Sequence, residues 1–430
     1  MKYHLSFPER VEIGDLTVRD GMQALEHIFS TEEKLVIVED LILAGLEHLE
    51  VTNFGHPKYL PQFADAEDML ERLFQSKRVG HLLKQNGGKV LVTAITINER
   101  ACTRALDFKA KHGVGPDIVL QMVSTDPVHH KTNSGMTLDD YWKMTERCIK
   151  MVNEQGIQMC GTVSTIWGSP MEGARVTDLK KAVEFSKIYL DLGASYIEQA
   201  DHDGSADPAR VYEYFTMILD PDLMGKWADP KYHLAHFHTS RGMGLANVLA
   251  ALQAGIYRFE STLSGIGGQP ANMVDGKLIS GTGKYYHKEH LLSGLVATED
   301  LVVMMESMGI KTGVDIPRLL NIGRKFRDNY LTISPGQMDT VMKAVSEFAG
   351  IPKNRLFALL DTDKDIDTLV EEALKFVEKP GEDKPERIRE TMMRFFKSLS
   401  WYLRRGMWGV SRAETIVSDV PPSPYLKDLL

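Results

Sequence analysis

The chain has 430 residues, 43% of them hydrophobic, enough for one large buried core and a smaller second domain. Its formal charge of −9 argues against nucleic acid or an anionic membrane surface as main partner, and no apolar run is long enough to span a bilayer. The start "MKYHLSFPER" lacks the apolar stretch of a secretory signal, and Cys102, Cys148 and Cys160 are too scattered for a disulfide framework or a CxxC site, so a cytoplasmic protein with reduced, buried thiols is expected.

Eight short apolar or β-branched runs follow in chain order: "VEIGDLTV" from Val11, "LEHLEVTNF" from Leu46, "KVLVTAITI" from Lys89 and "DIVLQMVST" from Asp117, then "IQMCGTVSTI" from Ile157, "ASYIEQAD" from Ala194, "YHLAHFHTS" from Tyr232 and "IYRFESTLSG" from Ile256. Segments of helical period separate them. In "STEEKLVIVEDLILAGL", Ser30 or Thr31 followed by glutamate reads as an N-cap with a capping box. Glycines close the helices in "LILAG", "LDLG" and "LQAG". Alternating strands and helices imply a parallel sheet, and eight units imply closure into a (β/α)8 TIM barrel. The rival, a doubly wound open sheet, is disfavoured because "VRDGMQ" lacks the GxGxxG turn.

After Leu320 the strand signal stops. "MDTVMKAVSEFAG", "DIDTLVEEALKFVEK" and "KPERIRETMMRFFKSLSWYLRRG" read as helices, and the tail "VPPSPYLKDLL" as irregular. The expected organisation is a catalytic barrel over residues 1–320 and a helical C-terminal extension over 321–430, docked on the barrel or on a second subunit.

The active site of such a barrel lies at the C-terminal ends of its strands. There the sequence collects Arg19, Asp20, Glu50, Asn53, Ser164, Thr165, Glu198, Asp201, His236, His238, Glu260 and Ser264. An inward charge in a packed barrel is costly unless paired or metal-bound. His236 and His238 lie two apart in a strand, so both imidazoles face one way. With Asp20 they make a set suited to one divalent ion: magnesium or manganese first, with zinc, cobalt or iron as alternatives. The alternative is two histidines with a purely structural role.

The blocks "VEIGDLTVRDGMQ", "AGLEHLEVTNFGHPKYLPQFAD", "HFHTSRGMGLANVLAALQAG", "STLSGIGGQP" and "LVATEDLVVMMESMGIKTGV" together resemble 3-hydroxy-3-methylglutaryl-CoA lyase. More broadly they resemble the metal-dependent lyase and synthase barrels that include isopropylmalate and homocitrate synthases. The resemblance covers Val11 to Leu320. It implies Asp20, His236 and His238 as metal ligands, Arg19 as the group that polarises the substrate carbonyl oxygen, Glu50 as its buried partner, and Gln23 and Asp201 in the pocket. Asp201 is carried as a catalytic candidate, and Asn53, with Gln23, as a substrate-binding one.

Two departures matter. The lyase carries a proton-transferring cysteine after its eighth strand, where "GIGGQP" has Gln269. An amide exchanges no proton near neutral pH, so that role is vacant or filled elsewhere, and Gln269 is left as a substrate contact. The lyase's last metal ligand, an asparagine, is replaced by Leu295, whereas Asn272 stands at the spacing the synthases use and becomes the expected fourth ligand. The longer stretch between Pro270 and Leu295 carries His287 and His290 and reads either as a lid that brings a proton carrier or as a solvated insertion whose histidines have no role. Arg241 is a candidate clamp for a substrate carboxylate, with an ion pair to a helix carboxylate as the alternative.

The reading is a divalent-metal-dependent lyase of the retro-aldol or retro-Claisen type. Its substrate is a small hydroxy- or keto-carboxylate, with a CoA thioester as one form, and its assembly a homodimer or higher homo-oligomer. The alternative is the reverse reaction, an acyl-CoA condensing synthase. The least favoured is a barrel that binds a ligand without catalysis.

Overall fold

The structure, a computed structural model, describes residues 7–331 apart from positions 24, 26, 59, 170–172, 175–176, 203, 240–241, 268–272, 275–276 and 279–293, and beyond them residues 343, 345–360, 366–377, 386–393 and 396. Eight parallel strands close into a barrel: β1 (Glu12–Asp15), β2 (His48–Asn53), β3 (Leu91–Ile95), β4 (Ile118–Ser124), β5 (Gln158–Ser164), β6 (Tyr196–Asp201), β7 (His233–Phe237) and β8 (Arg258–Ser261). Each pairs with its sequence neighbours, and β8 returns to pair with β1. All eight expected runs are strands, and the TIM barrel is the fold.

Parallel neighbours need a crossover, and helices supply it. The first, α1 (Thr31–Leu43), starts on the expected capping box: the Ser30 hydroxyl accepts from the Glu33 N–H, and the Glu33 carboxylate accepts from the Ser30 N–H at 2.8 Å. Along the strands, Val51, Val92, Val119, Val163, Ile197, Ala235 and Phe259 are fully buried between barrel and helices. The alternate residues Ile95, Ile118, Leu120, Cys160, Tyr196 and Leu234 cluster together inside the barrel. Beyond that apolar plug the inward positions turn polar, with Glu50, Glu198, His236 and Glu260 all buried. The change of character toward the strands' C-terminal ends fixes where the site must be.

The chain divides into two compact units between Ile322 and Gly323. In the second, α2 (Lys353–Leu360) and α3 (Ile366–Leu374) contribute to a small core of Ala349, Leu356, Leu369, Val370, Met392 and Phe396. The expected helical runs do not include α2, which follows Pro352. A proline just before a helix costs no hydrogen bond, and here its carbonyl accepts from Arg355 N at 2.9 Å. Among the described residues no helix is long and apolar enough to cross a membrane.

Candidate metal centre

β1 runs into a wide helical turn, Thr17–Gly21, which carries Arg19 and Asp20. The turn is pinned at its start, where the Asp15 carboxylate accepts from Thr17 N at 2.9 Å. At its end Gly21 passes so close to Ile266 that a Cβ there would lie 2.7 Å from its side chain. A side chain at this position would have to push the Ile266 side chain aside. β7 brings His236 inward, and His238 follows directly after it. Their rings stand 5.2 Å apart.

Asp20, His236 and His238 are buried together. The Asp20 Oδ2 lies 3.7 Å from the Nε2 of both histidines, too far for a hydrogen bond. Nitrogen and oxygen ligands stand about 2.0–2.2 Å from a divalent ion, so donors at this spacing can share one. The neighbouring strand orients the ring. β8 registers Glu260 beside His236, and the two side chains meet at 2.9 Å between Nδ1 and Oε2. A carboxylate on Nδ1 holds the proton there and leaves Nε2 as a lone-pair donor, the outer arrangement usual for a metal-bound histidine. The donor set fits a divalent ion.

Arg19 bridges the acidic groups, with Nη1 2.9 Å from Asp20 and Nε 3.1 Å from Glu50. The Nε contact is an ion pair without hydrogen-bond geometry, which leaves Nε and both Glu50 oxygens unsatisfied inside the barrel. β2 slips its register between Glu50 and Thr52, an irregularity that sets the local aim of the glutamate. Burial pushes Glu50 up to about 7 against the pull of Arg19, and burial with the nearby Glu50 charge pushes Glu198 up to about 8. Burial also carries Glu260 well above the carboxylate range, with Glu198 and Glu50 adding to it. One arginine facing several buried carboxyls cannot neutralise them all, so the cluster retains protons at neutral pH. Arg19 itself stays protonated, since Glu50, Asp20, Glu198 and Glu260 together outweigh its burial.

Asn53 ends β2 with its Oδ1 accepting from Gly55 N at 2.7 Å, which uses its oxygen locally. The Asp201 carboxylate, at the end of β6, accepts from the backbone N–H groups of Ser205 and Ala206 at 3.0 and 3.3 Å. Gln23 is half-buried just past the Arg19–Asp20 turn. Arg241, Gln269, Asn272, His287 and His290 lie outside the described residues. Leu295, in the position of the lyase's asparagine, is buried, and its backbone bridges to His238. The position is therefore beside the site while its side chain offers no ligand atom.

The sequence placed Glu198 and Glu260 at strand ends but gave neither a role. Their inward side of a period-two strand was the available signal. A second set, Glu198, His236 and Glu260, offers ligand atoms through the other nitrogen of His236. Glu260 already binds that nitrogen at hydrogen-bond distance, so the Asp20 set is the one left open to an ion.

The HMGL-like family model matches residues 10–325. Hydroxymethylglutaryl-CoA lyase of Bacillus subtilis is 27% identical over 320 residues, covering 74% of this chain and 93% of that one. The mitochondrial hydroxymethylglutaryl-CoA lyase of Bos taurus is 28% identical over 318 residues, covering 74% and 85%. Among solved structures, the Bacillus subtilis HMG-CoA lyase superposes with a TM-score of 0.61 at 25% identity, covering 78% of this chain and 99% of that one. An HMG-CoA lyase from Acinetobacter baumannii in complex with coenzyme A and 3-methylmalate gives 0.62 at 25% identity, covering 79% and 96%.

Proposed function

The chain belongs to the HMGL-like family, and from that premise we propose that it is a divalent-metal-dependent carbon–carbon lyase acting on a CoA thioester that carries a hydroxyl and a carboxylate. The observation that carries the reading is Arg19 set directly beside the buried Asp20, His236 and His238. The relatives are lyases, which favours cleavage over the condensing-synthase alternative.

Asp20, His236 and His238 would hold the ion, with Asn272 as fourth ligand in place of Leu295. We take magnesium or manganese as the metal, with zinc, cobalt or iron as alternatives. A divalent ion at this site supplies Lewis acidity toward a substrate oxygen. Arg19, permanently charged and held by Glu50 and Asp20, stabilises the negative charge that develops on the substrate oxygen as the carbon–carbon bond breaks. Glu260 orients His236. Gln23, Asn53, Arg241 and Gln269 are assigned to substrate binding, with Arg241 as the clamp on the carboxylate. Proton transfer needs a further group, for which the sequence offers Asp201, His287 and His290.

We assign catalysis to residues 1–320, with 321–430 as a helical extension, and take the protein as a cytoplasmic homo-oligomer. The three cysteines, buried and unpaired, suit a reducing compartment. The test is to incubate metal-loaded and chelator-stripped protein with 3-hydroxy-3-methylglutaryl-CoA and 3-methylmalyl-CoA and identify the products by mass spectrometry. Metal-dependent appearance of a shorter acyl-CoA with a keto or aldehyde acid is the expected result. Wild-type protein that cleaves neither thioester with metal bound refutes the lyase reading.

A further inference from the structure

We propose that His202, held edge-on against His129 at the β4–β6 side of the barrel mouth, is the proton carrier of the lyase reaction. This rests on the lyase reading and supplies the acid–base group that Gln269 cannot provide.

The wall is built in layers. Ser124 ends β4 and Ser164 ends β5, paired in register, with their hydroxyls 2.8 Å apart. Behind Ser164 the chain turns at Thr165, whose φ of 59° is a left-handed backbone that a threonine adopts only when held there. Thr125 holds it, donating its hydroxyl to the Thr165 carbonyl at 2.8 Å.

His129 stands on these serines. Its Nδ1 lies 2.5 Å from the Ser124 hydroxyl, and its Nε2 accepts from the Asn133 amide at 3.3 Å. The amide donor leaves Nε2 without a proton, so the proton sits on Nδ1 and points at Ser124. His129 is fully buried. Its ring meets His202 at 4.4 Å and 71°, an edge-to-face contact. A buried imidazole at that distance orients His202.

His202 is placed to use that proton. β6 turns Glu198 toward His236 at 3.7 Å, and registers Ala200 beside His236. His202 is the first residue past β6, where the His238 N–H donates to the Asp201 carbonyl at 3.4 Å, so it follows Glu198 and Ala200 one step nearer the mouth, beside His238. His202 is half-buried, so a substrate entering the mouth would meet it there.

The step balances without any further reactant. His202 takes the proton from the substrate hydroxyl as the adjacent carbon–carbon bond breaks, and the oxygen's electrons form the new carbonyl. The electrons of the broken bond pass to the thioester as its enolate. His202 then returns its proton to the enolate carbon, giving the acyl-CoA and regenerating the neutral imidazole. His129 acts through His202 and is a positioning residue.

The experiment uses full-length, metal-loaded wild type, His202→Gln, Ser124→Ala, Ser124→Thr and the double variant H287A/H290A. Metal content, coenzyme A affinity by calorimetry and cleavage of 3-hydroxy-3-methylglutaryl-CoA and 3-methylmalyl-CoA are measured on each. His202→Gln should keep metal and coenzyme A binding within about threefold and lose about 10²–10⁴ in kcat, the usual size of a general acid–base contribution. Ser124→Ala should lower kcat with KM unchanged, and Ser124→Thr should restore it. Cleavage by His202→Gln within tenfold of wild type, or loss confined to H287A/H290A, overturns the assignment and leaves the lyase reading standing. A wild type that binds metal and cleaves neither thioester overturns the lyase reading, and this proposal with it.

Discussion

His236 has two ring nitrogens with different neighbours, and the site depends on the difference. Nε2 faces Asp20 and Nδ1 faces Glu260. Removing the carboxylate frees the ring to rotate and lets the proton move to the nitrogen the metal needs. Glu260→Ala should therefore weaken metal binding about 10–100-fold, as outer partners of metal-bound histidines generally do. Glu260→Gln should weaken it less, because an amide oxygen still accepts from Nδ1–H. Titration of the apo protein with manganese or zinc measures both, and equal affinities in wild type and Glu260→Ala would remove Glu260 from the account. At this scale the candidate ligands were legible and their support was not. His236, His238 and Asp20 are readable as residue types at strand ends. The pairing of Glu260 with His236 is a fact of register between β7 and β8, which no single strand's sequence contains.

The turns after β1 and β8 are tied by one buried polar network. Asp15 accepts from Thr17 N at 2.9 Å and from the Thr298 hydroxyl at 2.7 Å, and Thr298 also meets the Ser261 hydroxyl at 2.9 Å. Beside it the Glu299 carboxylate accepts from Ser264 N at 2.9 Å, holding Ser264 at a φ of 54°. Burial pushes Glu299 up to about 8, with Asp300 and Asp15 adding to the rise and backbone N–H groups opposing it. Between its ordinary value of 4.5 and about 8, the folded protein keeps a proton there that the unfolded chain releases. By linkage this group's contribution to stability is fully present below the lower value and is lost as pH rises through the upper one. Glu299→Gln cannot ionise, so its melting temperature should gain on wild type steadily from pH 5 to pH 8. A difference independent of pH would contradict the raised value. The sequence showed "ATEDL" as part of the family resemblance, but the tie between Glu299 and Ser264 joins a helix to a separate turn and appears only in the fold. The strands and the α1 cap were readable because each is set by local periodicity and a local hydrogen bond.

The whole molecule is a barrel unit and a smaller unit beyond Ile322 with its own apolar core. The barrel was legible because eight repeats of one pattern leave few alternatives. The second unit was legible only as helices, since nothing in its composition says what it serves. A ligand that binds only the folded barrel stabilises it by about 2.7 kcal/mol at a hundredfold excess over its Kd. Saturating manganese should thus raise the barrel's melting transition in calorimetry and leave a transition of the second unit in place; a shift of both by the same amount would show one cooperative unit. The central claim is that Asp20, His236 and His238 share one divalent ion. Anomalous diffraction from crystals grown with manganese tests it most directly. The account predicts a single peak about 2.2 Å from Asp20 and from the Nε2 atoms of His236 and His238. No peak, or a peak bound through His236 Nδ1 with Glu198 and Glu260, would contradict it.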